Sequence, residues 1–134
     1  MSKSFVQLAI LAAFIAVPAV ADRDLVPSLE NAPDVCVDRP AEPDWMQNIA
    51  PRDAYRRVLV QDIYRAQNLV RVVEEDNCDC DTRFPSWDTA ETVFFDRFAN
   101  AERWEMLEAS DEFNRRANAA RPEAMAICEA AGNW

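Results

Sequence analysis

The longest regular pattern of apolar residues begins at Pro51 and ends before Asp76. Apolar side chains recur there at steps of three and four residues, at Tyr55, Val58, Leu59, Ile63, Ala66, Leu69, Val70 and Val73. This spacing places them in one continuous stripe along a helix. Pro51 suits a first helical turn, and most of the polar residues, among them Asp62 and Asn68, fall off the stripe. The pattern therefore predicts one long amphipathic helix.

A second apolar stripe follows an acidic loop. It predicts a helix that starts at Ser86 or Asp88, with Asp88 and Glu91 as a capping box. Ser110 either caps a third helix or lies inside one long helix. We expect the stripe of the first helix to pack against the aromatic residues of this second stripe. Its positions are Ala90, Val93, Phe94, Phe98, Ala101, Trp104 and Leu107.

The last part of the chain is predicted to form a short separate helix. The residue before a proline avoids helical geometry, so Arg121-Pro122 should interrupt the pattern, and Pro122 should open the last helix. Gly132 follows as its C-cap and is the only glycine in the chain. Multi-stranded sheets with tight hairpins usually need more glycine. The sequence therefore predicts an all-α fold, a small disulfide-stapled helical hairpin or bundle of three to four helices.

The first residues have the pattern of a secretory signal peptide. Lys3 precedes an apolar run from Phe5 to Val20, which is too short for the ~20 residues of a typical membrane span. The small-x-small pattern of Ala19-Val20-Ala21 suits a cleavage site before Asp22. We expect residues 1–21 to be removed, although the same pattern in uncleaved form would be a membrane anchor. After cleavage we expect no stable membrane anchor, and a location in the periplasm or outside the cell.

The segment after the signal peptide differs in composition from the rest. Residues 22–50 contain four prolines and no periodic apolar spacing, which predicts an extended Pro-rich arm. Trp45 and Met46 are the arm residues that could dock on the helices. Residues 51–134 are predicted to form the helical domain.

Charge and composition exclude several classes of function. The chain has 24 acidic and 14 basic residues, a net charge of −10 and no histidine. A negative surface repels nucleic acid and favours a cationic protein partner. Without histidine, the Ser-His-Asp and Cys-His mechanisms and the commonest metal ligand are missing. With 24 acidic residues, some pair of carboxylates is bound to lie close together, so such a pair is no evidence for a hydrolase. We therefore predict no catalytic residues and no cofactor.

Four cysteines, Cys36, Cys78, Cys80 and Cys128, carry the main candidate chemistry. An even number behind an export signal predicts disulfides. A bridge between Cys78 and Cys80 would close a small strained ring. We therefore expect these two to bond to Cys36 and Cys128, in either order. Each bridge would close a loop of about 40 residues or more, worth ~4 kcal/mol in the chain-entropy estimate.

The acidic loop around Cys78 and Cys80 argues against other roles for the two thiols. The charges of Asp76, Asp79 and Asp81 raise a thiol pKa, which disfavours redox activity. Zinc needs four ligands, and only distant cysteines or carboxylates could complete the set. The loop also lacks the glycine and the following glutamate of a calcium-binding EF-hand. A structural role with no bound metal is the favoured interpretation.

Two aromatic residues are candidates for a partner surface. Phe95 lies on the other side of the second helix from its apolar stripe, and Trp134 ends the chain. Large exposed aromatics mark contact surfaces, although both could pack under the arm. Our hypothesis is an exported, non-enzymatic protein that acts through a protein partner, as an accessory component of an envelope or secretion assembly. The alternatives are an inhibitor that offers its acidic loop to a basic enzyme, and a small carboxylate-dependent hydrolase.

Overall fold

The computed structural model describes residues 36–134, and there it confirms the predicted all-α fold. The predicted signal peptide and the first part of the predicted arm lie outside these residues. A 3-10 turn at Pro51–Asp53 leads into the long helix that begins at Ala54, and the described range contains no strand. The helices are α1 (Asp44–Gln47), α2 (Ala54–Glu75), α3 (Cys80–Arg83), α4 (Asp88–Arg97) and α5 (Arg103–Ala130).

The three longer helices run up, down and up. Tyr64, in the middle of α2, stacks on Trp87 at the start of α4, with 3.8 Å between ring centroids. Phe94, near the end of α4, lies instead beside Trp45, which precedes α2. Helix α4 therefore runs antiparallel to α2. Contacts from α2 to α5 advance in the same direction along both helices, from Asp62–Ser110 to Arg65–Asn114, so these two are parallel.

The core lies where α2 meets both of the other long helices. The single apolar stripe predicted for α2 was too narrow. Both α4 and α5 pack on α2, so they bury more of the surface of α2 than one neighbouring helix would. Val60 and Val72 are fully buried, whereas Val58, which was assigned to the stripe, is 46% exposed. Asp62 and Asn68, predicted to lie off the stripe, are also buried. Other core side chains are Met46, Leu59, Ile63, Ala66, Ala90, Phe94, Met106, Phe113 and Ala117.

A break between α4 and α5 overturns part of the second stripe. Helix α4 ends at Arg97, and α5 begins at Arg103 after a capping box formed by Glu102 and Glu105. The interruption changes the direction of the second stripe, so Trp104 is 64% exposed and its predicted packing against α2 is wrong. Phe94 is buried as expected, and Phe98 is half-buried, with its ring edge-on to Phe113.

The predicted capping box at the start of α4 is also wrong. Trp87 is the N-cap residue, and its side chain makes no capping hydrogen bond. The two carboxylates are used elsewhere: Asp88 accepts a hydrogen bond from Ser86 Oγ at 2.9 Å, and Glu91 accepts one from Trp45 Nε1 at 2.7 Å. The bond from Trp45 joins the segment before α2 to α4.

Helix α5 continues through Pro122, so the predicted break at Arg121-Pro122 is wrong. An interior proline removes one backbone hydrogen bond and disfavours helix. Here Ala117 precedes the proline and Ala124 follows it, and both are fully buried on the same face of α5. Pro122 itself is exposed. Packing against α2 therefore outweighs the local preference. Gly132, at φ +74°, follows the helix end as expected.

All four cysteines are bonded, which confirms the predicted disulfides. Cys36 pairs with Cys80, and Cys78 pairs with Cys128. We call these residues the cysteine hub, because they join the arm, the loop after α2 and the end of α5. Which cysteine bonds to which follows from the burial of the two loop cysteines. Cys78 is buried and bonds to Cys128 in the core, whereas Cys80 is exposed and bonds to Cys36.

The described part of the arm, residues 36–50, packs on the helices. Met46 is fully buried, and the ring of Trp45 stacks on Phe94 with 5.6 Å between centroids. Glu42 forms an ion pair with Arg57 of α2 at 2.6 Å. The Cys36–Cys80 bridge, the Glu42–Arg57 ion pair and the Trp45–Phe94 stack together hold this segment against the helices.

A buried polar contact gives the first testable prediction. Ser110 Oγ donates a hydrogen bond to Asp62 Oδ2, and both side chains are buried between α2 and α5. Replacing Ser110 by alanine leaves the Asp62 carboxylate without this donor. We expect the free energy of unfolding to fall by ~1–3 kcal/mol, the usual cost of leaving a buried polar group unsatisfied. Urea denaturation measures this loss.

Ser86→Ala is the matched control, since Ser86 also donates to an aspartate but does so on the surface. We expect it to change stability by at most about 0.5 kcal/mol. Equal losses in the two variants would contradict a buried, structurally important Asp62–Ser110 contact.

Candidate binding pocket

One concave feature with mixed polar and apolar lining lies beside Asn133 and Trp134. It has a volume of about 410 Å³ and combines arginines with aromatic rings. Three elements form it: the middle of α2, the segment around α3, and the C-terminal half of α5 with the residues after it. We call it the Arg–aromatic pocket, lined by Tyr64, Arg65, Asn68, Leu69, Arg83, Phe84, Arg121 and Trp134.

The cysteine hub places Trp134 in this pocket. The Cys78–Cys128 bridge fixes the end of α5 to the loop after α2. Asn133 then donates its backbone N–H to the carbonyl of Cys128 at 2.8 Å, and its side-chain amide donates to the carbonyl of Cys78. The next residue, Trp134, is thereby held over α3, with 37% of its surface exposed.

Arginine guanidinium groups lie on the aromatic rings of the pocket. That of Arg83 lies 4.8 Å from the centroid of the Trp134 ring and 4.9 Å from that of Phe84. The guanidinium of Arg121, which belongs to α5, lies 5.5 Å from the centroid of the Trp134 ring. Burial lowers the pKa of Arg83, and the nearby charge of Arg39 lowers it further. Arginine nevertheless stays charged at neutral pH, so the pocket carries positive charge.

Within the described part of the chain, no carboxylate oxygen lies within 4.0 Å of a nitrogen of these arginines. Arg65 donates to the amide oxygens of Asn114 and Asn118, at 2.9 and 2.7 Å, which are neutral acceptors. The ion pairs within residues 36–134 are Arg52–Asp53 and Arg57–Glu42. In a chain of net charge −10, a site with three arginines and no carboxylate within 4.0 Å is suited to an anion.

The floor of the pocket holds a buried polar group without a partner. Asn68 is 6% exposed, and its Oδ1 accepts no hydrogen bond from any described residue. Beside it, Tyr64 donates its hydroxyl proton to the carbonyl of Pro85 at 2.7 Å. Burial raises the pKa of Tyr64, an effect that a hydrogen bond from the Asn68 side chain partly offsets.

The structure separates the two residues that the sequence suggested as a partner surface. Trp134 lies in the Arg–aromatic pocket, whereas Phe95, 51% exposed, lies against Trp45 in a second concavity near the start of α2. The three arginines of the pocket were missed. They come from distant parts of the chain, and a single local signal pointed to them, the Arg83-Phe84 pair close to the cysteines.

The chemistry available in the pocket is that of binding. Its side chains supply hydrogen-bond donors, positive charge and aromatic faces, and Tyr64 is its one weak acid. Among residues 36–134, no three His, Cys, Asp or Glu side chains are grouped so that they could hold a metal ion. In the same range, none of the helices has both the length and the apolar character that a membrane span requires.

Comparisons of the chain with protein-family models, with curated proteins and with solved structures give no match.

Proposed function

We propose that this protein is an exported, non-enzymatic binding protein that acts through a protein partner held at the Arg–aromatic pocket. The observation that carries the proposal is a pocket lined by three arginines, Arg65, Arg83 and Arg121, with no described carboxylate within 4.0 Å of them. Two of them, Arg83 and Arg121, lie over the ring of the partly exposed Trp134. Tryptophan and arginine dominate the energetics of protein interfaces. The partner would therefore present an anionic group to this pocket.

The compartment is part of the same proposal. Two disulfides in the described chain fit an oxidising compartment outside the cytoplasm. We propose the periplasm or the extracellular medium, with a role as an accessory component of an envelope or secretion assembly. The net charge of −10 still favours a partner that is cationic overall, so that the acidic group would be a local feature of its binding surface.

The contacts of the acidic loop favour this proposal over an inhibitor that uses the loop as bait. The side chain of Asp79 accepts a hydrogen bond from the backbone N–H of Thr82 at 2.7 Å and caps α3. This hydrogen bond, together with those from the side chains of Asn77 and Thr82, lowers the pKa of Asp79. The Asp79 carboxylate is therefore engaged within the loop, whereas the pocket arginines have no described carboxylate within 4.0 Å.

Charge reversal in the pocket tests the proposal. With the oxidised protein as bait in an envelope extract, Arg121→Glu should reduce the retained partner at least about tenfold, an effect of ~1.4 kcal/mol. Arg121 is exposed, so the variant should fold normally. Arg115→Glu is the matched control, because it makes the same change at an exposed position of α5 outside the pocket.

The control should retain the partner as the wild type does. A partner that all three proteins hold equally would place binding elsewhere on the surface and contradict the proposal. If the wild-type protein retains no partner from the extract, the alternative of a carboxylate-dependent hydrolase would be favoured instead.

A further inference from the structure

Three arginines and two aromatic rings alternate in one series of contacts beside the cysteine hub. The guanidinium of Arg39 lies 5.7 Å from the centroid of the Phe84 ring, and that of Arg83 lies 4.9 Å from the same centroid. Arg83 also lies over the ring of Trp134, and so does Arg121. Each contact is short enough for attraction between a cation and an aromatic face. We call these five residues the cation–π series.

The positive charges of the series have no anionic partner within residues 36–134. No carboxylate oxygen lies within 4.0 Å of a nitrogen of Arg39, Arg83 or Arg121. Beyond that distance, three acidic residues line neighbouring concavities together with Arg39, namely Asp38, Glu42 and Asp81. The lining of the Arg–aromatic pocket, where Arg83 and Arg121 lie, contains no acidic residue. The pocket end of the series is therefore the end suited to an anion.

The number of charges at this end favours a ligand group with two negative charges. Burial lowers the pKa of Arg83, and the charge of Arg39 lowers it further, so these like charges interact. An aromatic face holds a guanidinium in place and leaves its N–H groups able to bind an anion. Arg65 adds another positive charge to the lining. A single carboxylate would neutralise one arginine, whereas a dianion would match both Arg83 and Arg121.

We propose that the anionic group recognised in the Arg–aromatic pocket is a phosphate monoester carried by the partner protein. Such a group has about two negative charges at neutral pH and three acceptor oxygens. Arg83 and Arg121, which lie over the same Trp134 ring, donate to these oxygens in charge-assisted hydrogen bonds. Arg39 acts through its charge and its contact with Phe84. This inference rests on the proposed function and adds the chemical class of the ligand.

Two small probes that share a benzene ring separate a phosphate from a carboxylate. Phenyl phosphate carries the proposed group, and benzoate carries a carboxylate in its place. In NMR titrations at about pH 7.5, the indole N–H signal of Trp134 should shift saturably with phenyl phosphate, with an affinity at least about tenfold higher than for benzoate. The signal of Trp45, which donates to Glu91 outside the pocket, should stay constant. Equal affinities for the two probes would overturn the inference.

The pH dependence of binding gives an independent measurement. A phosphate monoester takes up a proton near pH 6, whereas a carboxylate does so near pH 4. The arginines of the pocket stay charged, burial raises the pKa of Tyr64 so that it keeps its proton, and the chain has no histidine. Lowering the pH from about 7.5 to about 5 should therefore weaken phenyl phosphate binding several-fold.

Benzoate is the control for titration of the protein's own acidic groups. Its affinity should change little over the same range, because its carboxylate stays ionised. An affinity for phenyl phosphate that does not depend on pH would contradict recognition of the dianion.

Variants assign the binding to the cation–π series. Arg83→Gln and Arg121→Gln should each lower the affinity for phenyl phosphate at least about tenfold, because each removes a donor to the phosphate. Arg39→Gln should lower it less. Arg97→Gln is the matched control, since Arg97 is an exposed arginine that lies 5.0 Å from the Phe98 ring centroid, outside the pocket. A loss for the control as large as for Arg121→Gln would overturn the assigned site.

Phosphatase treatment of the envelope extract separates this inference from the proposed function. We expect the partner retained by the wild-type protein to be lost from the treated extract, and to be displaced by phenyl phosphate more readily than by benzoate. Retention that Arg121→Glu abolishes but phosphatase leaves unchanged would overturn the phosphate and leave the proposed pocket function standing. Retention that survives both changes would overturn both proposals.

Discussion

Replacing Cys78 and Cys128 together by alanine is expected to lower the free energy of unfolding by ~4 kcal/mol. The bridge closes a loop with a sequence separation of 50 residues, so its loss releases considerable chain entropy in the unfolded state. Both cysteines are fully buried, and the bridge is the covalent link between α5 and the loop after α2. Since small domains have a total stability of ~5–15 kcal/mol, the effect is large.

Urea denaturation of the remaining one-disulfide protein measures this loss. The double change Cys36→Ala and Cys80→Ala is the matched control, because it opens a loop of similar size, with a separation of 44 residues, at an exposed bridge. Similar losses of ~4 kcal/mol in both would support chain entropy as the cause. A loss below ~1 kcal/mol for the buried bridge would show that α5 is held by packing alone.

Truncating Phe94 to alanine is the second large expected effect, a loss of ~3–5 kcal/mol in the free energy of unfolding. Phe94 is 1% exposed and is the largest of the fully buried side chains. Its ring stacks on Trp45, so the truncation would open a cavity between α4 and the segment that precedes α2. Truncating the half-buried Phe98 should lower the free energy of unfolding by less.

Phe95→Ala is the matched control, because it removes the same ring from the adjacent position of α4. Phe95 is 51% exposed, and we expect a loss of about 1 kcal/mol or less. Thermal and urea denaturation of the two variants would test the orientation of α4. A larger loss for Phe95 than for Phe94 would mean that α4 is rotated relative to the arrangement described above.

The local features of this protein could be predicted because they depend on neighbouring residues. The apolar spacing after Pro51 predicts α2, and the helix of Asp88–Arg97 follows from a similar spacing. The disulfide prediction used the cysteine count, the predicted export signal and the strain expected of a Cys78–Cys80 ring. That reasoning left two pairings open, because both join the same three segments at one place.

Other features depend on which sides of each helix meet a neighbour. Asp62 and Asn68 are buried because α2 is covered from two sides, a fact that spacing along one helix does not contain. Packing of α5 on α2 likewise overrides the local preference for a break at Pro122.

The candidate site follows the same division. Trp134 was noticed from its size and position, whereas Arg65, Arg83 and Arg121 converge on the pocket because α2 and α5 run parallel and the Cys78–Cys128 bridge holds their ends together. Periodicity and cysteine chemistry therefore suffice for α2, for the start of α4 and for the cysteine hub. The pairing order, the helix directions and the positive pocket arise from long-range packing, which brings residues far apart in the chain into contact.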